Sequence, residues 1–262
     1  MSKIALLMGL NYRGSQAQLD GCINDVVNTG KVLEEVYGYN PSDILYMTDD
    51  SEIKPTARNI LAQLIRLSER TYQEDIKEIW VSYSGHGTYV KDVNDDEDDG
   101  KDECLVPLDY KESGMITDDH LNNILSLMNP STRVVFIVDA CHSETMLDLP
   151  YRYVSGNKNV IENPNSRVNC NCVMISGCRD NQTSSDAYNI NNSGEYSGAM
   201  TSALLYVLDK FDYTITCWRL LKEMRNFLKN RNFDQVPQIS CNNMLNCAKL
   251  FSCVDPKPFI CN

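Results

Sequence analysis

The chain has 262 residues, of which 42% are hydrophobic and 8% aromatic, ordinary values for a soluble globular protein able to bury a core. Its 36 acids outnumber 24 Lys and Arg, for a net charge of -12, which excludes nucleic acid as a partner because phosphate binding needs a basic face. No run approaches the ~20 apolar residues of a membrane span, and residues 1–10 read as a first strand rather than a signal peptide.

In chain order, the pattern predicts a strand over 3–9, a helix over 19–37 and a second strand over 44–48. Pro55 opens a helix whose Ile60, Leu61, Leu64, Ile65 and Leu67 fall on one face. A third strand over 79–84 leads into a long acidic loop. Thr117-Asp118-Asp119 then starts a helix that runs to 128, and a fourth strand covers 134–139. A loop rich in Asn, Pro, Ser and Tyr spans 150–169. It is followed by a strand over 173–176, helices over 197–210 and 216–229, and a short strand over 238–240. The alternation predicts an α/β fold, with a mostly parallel central sheet flanked by helices on both faces. The expected organisation is one domain over 1–262. It comprises a region over 1–150, an exposed loop over 151–169 and a region over 170–262.

Eleven cysteines, an odd number, without an export signal point to a reducing, cytoplasmic compartment. Cys170, Cys172 and Cys178 read as free thiols rather than a zinc site, because the chain has only three histidines and no CxxC pair.

Two segments carry the chemistry. Ile79-Trp80-Val81-Ser82-Tyr83-Ser84-Gly85-His86-Gly87 and Val134-Val135-Phe136-Ile137-Val138-Asp139-Ala140-Cys141-His142-Ser143 are apolar runs that break into small and polar residues. Buried parallel strands read this way, and α/β proteins do their chemistry at the carboxyl ends of such strands. One end delivers His86 and the other Cys141. A cysteine nucleophile reacts as thiolate and needs a base beside it, which His86 can supply from an adjacent strand. Backbone N–H groups of Gly87 and Cys141 are the candidate oxyanion donors, with Gly87 leaving room for a substrate carbonyl. The His-then-Cys order resembles caspase-type cysteine peptidases.

Further motifs sharpen the likeness. Asn11-Tyr12-Arg13-Gly14, Gly21-Cys22-Ile23-Asn24-Asp25, Asp102-Glu103-Cys104-Leu105-Val106-Pro107-Leu108-Asp109, Ser176-Gly177-Cys178-Arg179-Asp180-Asn181-Gln182-Thr183-Ser184 and Tyr196-Ser197-Gly198-Ala199-Met200 resemble those of metacaspases, nearly end to end. The cysteine segment lacks the Gln-Ala-Cys-x-Gly of true caspases. The resemblance implies a caspase-like fold, large- and small-subunit-like regions on either side of the 151–169 loop, a monomer, and cleavage of protein or peptide substrates after Arg or Lys. By resemblance, Cys22, Asp25, Ser84 and Asp139 form the S1 pocket. The chemistry agrees for Asp25 and Asp139, because a buried cation must be paired, and two acids there would repel an Asp at P1. Taken alone, Asp25 is equally a helix-start charge and Asp139 a residue that orients its loop.

The run Asp92-Val93-Asn94-Asp95-Asp96-Glu97-Asp98-Asp99-Gly100 fails the EF-hand spacing, in either register, at the required Gly or Glu. The resemblance instead implies calcium on dispersed aspartates, which map onto Asp102, Asp118, Asp119 and Asp148. Helix capping is the competing role for Asp118 and Asp119. The match begins at the first strand, with no prodomain ahead of it, and the loop after the cysteine is short, so a minimal type I-like form is expected. Glu144 stands where the family commonly has Gly, and a carboxylate near the thiol would raise its pKa. That departure, with the minimal architecture, is the best support for the competing class, a caspase-fold scaffold that binds without cutting; the presence of both dyad residues and all four pocket residues stands against it. Autoprocessing is expected after Arg152, Lys158 or Arg167.

Overall fold

The computed structural model describes residues 2–91, 101–143, 145–153, 160–162, 166–177, 186–188, 190, 195–243 and 250–251. Strand β1 (Ser2–Gly9) is buried from Ile4 onward, as a central parallel strand must be. Helix α1 (Cys22–Glu35) buries Cys22, Asp25, Val26, Thr29, Gly30 and Leu33, a stripe of helical period. Strand β2 (Ile44–Thr48) follows a short 3-10 turn over Pro41–Asp43. Helix α2 (Ala57–Gln73) is capped by Thr56, whose side chain accepts the Asn59 N–H, so Pro55 precedes the cap. Strand β3 (Ile76–Ser84) then crosses the core.

A side sheet interrupts the alternation. Strands β4 (Gly87–Lys91) and β5 (Lys101–Leu105) pair antiparallel. After the short helix α3 (Tyr110–Ser113), β6 (Ile116–Thr117) joins β5. The sequence reads this stretch as one acidic loop, because polar strands half open to solvent lack a continuous apolar run; the acidic run 92–100 itself lies outside the described residues. Helix α4 (Asp118–Ser126) starts in a capping box in which Thr117 and His120 answer each other. Strand β7 (Arg133–Asp139) returns to the main sheet.

The remaining elements are β8 (Tyr151–Tyr153), β9 (Val160–Glu162), β10 (Asn171–Ser176), β11 (Asp186–Tyr188), β12 (Tyr196–Gly198), α5 (Ala199–Lys210), α6 (Cys217–Asn230) and β13 (Gln238–Cys241). The main sheet has eight strands, in the order β2-β1-β3-β7-β10-β13-β8-β9. The pairings from β2 to β10 are parallel, and those from β10 to β9 are antiparallel. Strand β8 corrects the expected exposed loop over 151–169: it docks on β13 and buries Tyr153, and Val168 is buried as well. Three residues are too short for a period-2 signal, so the tertiary edge decides.

Alternate side chains feed two cores. Leu6, Met8, Val81, Phe136 and Val138 pack with Ile60 and Leu64 of α2 and Leu121 and Leu125 of α4. Leu7, Trp80, Val135, Ile137 and Ile175 pack with Val26 and Leu33 of α1, Leu204 of α5 and Leu221 of α6. Helices therefore cover both faces, and Gly9, Ser84 and Asp139 lie in register at one edge of the layer. No helix among the described residues is long and apolar enough to cross a membrane.

Candidate active site

The last register pair of β3 and β7 is Ser84 with Asp139, so His86 and Cys141 each stand two residues past it. The strand ends touch closely. A Cβ on Gly87 would lie 2.0 Å from the Cys141 carbonyl oxygen and 3.1 Å from Ala140 Cβ. Glycine is therefore required for the two backbones to meet, a stronger demand than room for a substrate carbonyl.

His86 is gripped from three sides. Its Nε2 lies 2.7 Å from the Ala17 carbonyl, which can only accept, so Nε2 carries a proton and a neutral ring presents Nδ1 as its basic nitrogen. The Tyr12 hydroxyl accepts the His86 N–H at 3.0 Å and donates to the Val106 carbonyl at 2.6 Å. The Tyr83 hydroxyl donates to the His86 carbonyl at 2.7 Å. Burial raises both phenols well above the ordinary tyrosine value, so they stay protonated and keep donating. Tyr12 has a left-handed backbone (φ 50°), and its ring lies 4.8 Å from the imidazole. Cys141 is half-buried, and His142, next in the chain, is also left-handed (φ 47°). Strained backbone of this kind gathers at sites where side-chain placement matters. Glu144 lies outside the described residues.

At the same strand ends sit the residues expected at S1. Asp25 accepts the Ser84 hydroxyl at 2.6 Å, the Ser197 hydroxyl at 2.6 Å and the Gly198 N–H at 2.9 Å. Asp139 accepts the Thr201 N–H at 2.8 Å. Asp25, Asp139 and Ser84 are each no more than 3% exposed. Burial, with Asp139 adding repulsion, raises the Asp25 carboxyl from its ordinary value to about 8. Cys22 lies one turn earlier on the buried face of α1, within electrostatic reach of Tyr12 and Tyr83. The structure thus joins Asp25, Ser84 and Asp139, with Cys22 toward the tyrosines.

Of the four carboxylates expected to bind calcium, Asp102 and Asp118 lie near one another around Cys104 at the β5–α4 corner, Asp119 follows in the helix and Asp148 stands in a separate loop. Asp118 accepts the Glu103 N–H at 2.6 Å and the Asp119 N–H at 2.7 Å. Burial and the nearby Asp118 and Asp102 push the Cys104 thiol up to about 12, which places those carboxylates around it. Asp148 is left-handed (φ 46°), and its loop is tied in by Thr145, which donates to Glu103 at 2.5 Å, and by Asn122, which donates to the Leu147 carbonyl at 2.9 Å. These oxygen donors fit a hard divalent cation in kind. Among the described residues, however, no three such side chains converge into a ready cage. Among the described residues seven cysteines, Cys170 and Cys172 included, stand outside any disulfide, and Cys178 lies outside the described residues.

Comparison with known proteins places this geometry. The metacaspase, peptidase C14 domain family model matches residues 3–150. Metacaspase-1 of Cryptococcus neoformans is 34% identical over 304 residues, covering 96% of this chain and 65% of that protein. The chain belongs to the metacaspase family. Metacaspase-1 of Yarrowia lipolytica is likewise 34% identical, over 92% of this chain and 62% of its own length, so the metacaspase described here spans somewhat under two thirds of these relatives. The fold is that of the caspases. Protein GSU0716 from Geobacter sulfurreducens superposes with a TM-score of 0.67 at 23% identity, over 95% of this chain and 97% of that one. Caspase-1 from Spodoptera frugiperda gives 0.54 at 13%, over 91% and 85%.

Several metacaspase residues at the site were not legible as such from sequence. Ser197 and Gly198, from a segment quoted above only as a family motif, and Thr201 just beyond it hold the two buried acids. Tyr12 and Tyr83 grip the backbone of His86, and Ala17 takes its ring proton. A tyrosine within a buried strand reads as core, and a backbone carbonyl carries no sequence signal.

Proposed function

We propose that this metacaspase is a calcium-activated cysteine endopeptidase that cleaves after Arg or Lys. The observation that supports the reading is that the strand ends bearing His86 and Cys141 adjoin, Gly87 lying against the Cys141 carbonyl, with the buried acids Asp25 and Asp139 at the same ends through Ser84. The Cys141 thiolate attacks the scissile carbonyl, the thiol proton passing to His86 Nδ1. His86 then protonates the leaving amine, and the acyl-enzyme is hydrolysed by water that His86 deprotonates. N–H groups of Gly87 and Cys141 receive the oxyanion. Asp25, Ser84 and Asp139 receive the P1 cation.

Asp102, Asp118, Asp119 and Asp148 would hold calcium, which supplies the positive charge needed for acids from separate elements to draw together. The same reading makes the chain a cytoplasmic monomer, supported by the free thiols. Arg167 is its best point of autoprocessing, being exposed in a segment outside any helix or strand. Arg152 is a poor one: its strand pairs with β13 on one side and β9 on the other, so its backbone is already engaged. Lys158 lies outside the described residues.

The test is hydrolysis of paired fluorogenic peptides ending in Arg or Asp, with calcium or chelator, beside a Cys141→Ala control. Calcium-dependent cleavage of the Arg peptide alone, lost in the control, is the expected result. No turnover of either peptide by folded protein would favour the non-cutting scaffold.

A further inference from the structure

The buried acid pair raises a question of charge. Asp25 is 1% exposed, and its three hydrogen-bond donors, Ser84 from β3 and Ser197 and Gly198 from β12, are all neutral. From β7 it faces the acid Asp139, whose oxygen takes the Thr201 N–H at the start of α5. Its own helix offers Cys22 one turn away. Among the described residues no Lys, Arg or His side chain hydrogen-bonds to Asp25.

The two acids are also close. A Cβ on Gly198 would stand 2.3 Å from Asp139 Oδ2 and 2.6 Å from Asp25 Oδ2, so these oxygens lie within about 5 Å of each other. Two ionised carboxylates that near, both out of water, strongly disfavour one another. A proton on one of them removes the repulsion, and a guanidinium would remove it equally well.

We propose that a basic P1 side chain enters this pocket by exchange, its cation displacing to solvent a proton that Asp25 holds in the empty enzyme. The exchange balances. Before binding, the pair comprises a carboxylic acid and a carboxylate; afterwards it is two carboxylates and one cation, with the same net charge and one proton released. The raised Asp25 pKa agrees in direction. Gly198 is the residue that lets both acid oxygens pack against one stretch of backbone, since a Cβ there would collide with each of them. Selectivity for a charged over a neutral P1 residue therefore grows with pH. Below the Asp25 titration, apparent affinity for the cation falls about tenfold per pH unit.

The inference rests on the basic-P1 reading, and its test separates the two. Full-length Cys141→Ala protein with calcium is titrated calorimetrically with an uncleaved Arg peptide, in buffers of low and high ionisation enthalpy. The matched citrulline peptide serves as neutral control. At pH 7 the Arg peptide should release about one proton more than the citrulline peptide, and that excess should vanish near pH 9.5. Asp25→Asn should bind the Arg peptide without the excess. Arg-peptide binding at pH 7 with no excess proton would overturn the exchange and leave the basic-P1 reading standing. Absence of Arg-peptide binding at both pH values would overturn that reading and the exchange with it.

Discussion

Two groups of acids flank the strand ends that carry His86 and Cys141, and the chain holds them by opposite means. At the β5–α4 corner, Asp118 accepts two backbone N–H groups, and its neighbours come from a hairpin, a helix start and a turn closed by Thr145. Beneath the ends of β3 and β7, Asp25 is fixed by two hydroxyls and one N–H and pressed against Asp139 inside the core. Asp118 is oriented by the backbone, and this corner stays partly open, with Asp119 and Asp148 only half-buried. The other group is closed. On the proposed reading, the same residue type would serve a hydrated metal ion in one place and a desolvated organic cation in the other.

The sharpest way to break this comparison is to remove the chemistry between the two groups. Cys141→Ala and His86→Ala should each lower kcat by about a thousandfold or more, measured with an Arg peptide, while calcium binding is unchanged. Gly198→Ala strikes the closed group alone. Its methyl would collide with both acid oxygens, and kcat/KM for the Arg peptide should fall by roughly 100-fold or more, with the rate of Cys141 alkylation by iodoacetamide preserved.

Asp119→Asn strikes the open group. It should raise the calcium concentration for half-maximal activity by about tenfold, with the saturated rate little altered. Tyr12→Phe tests the grip on His86 from outside both groups. Losing the hydroxyl that bonds His86 and Val106 should lower kcat about five- to tenfold, with KM held.

The smallest effect is on stability, and its sign separates Asp25 from an ordinary surface acid. Its pKa is raised in the folded protein above an unfolded value near 3.9. As pH rises from about 4 toward 8, the unfolded chain loses this proton while the folded chain keeps it, so stability falls across that window. Asp25→Asn removes the penalty and should raise Tm at pH 8 by several degrees, about 2–4 °C for each kcal/mol recovered, with little gain near pH 4. A thermal melt at the two pH values checks it.

Much of this was readable in advance. The β-branched runs ending at Ser84 and Asp139 gave their strands away, because parallel strands buried on both faces need continuous apolar sequence. The positions of His86 and Cys141 follow from where those runs stop. The β4–β5 hairpin and strand β8 were hidden, being short, polar or at a sheet edge, where local pattern is weak. Asp25 could be singled out by motif and does stand in the first turn of α1, but its burial against Ser84 and Ser197 came only with the tertiary structure.

By itself the sequence determined the alternation of strands and helices, the family, and the placement of a His and a Cys at two strand ends. Those properties reside in local periodicity and in side-chain chemistry carried along a few residues. The tertiary structure decided which groups tune them: the Ala17 carbonyl 69 residues from His86, and Ser197 172 residues from Asp25. Such contacts are set by strand register and by the docking of α5 against the sheet, and burial then determines whether an acid there keeps its proton.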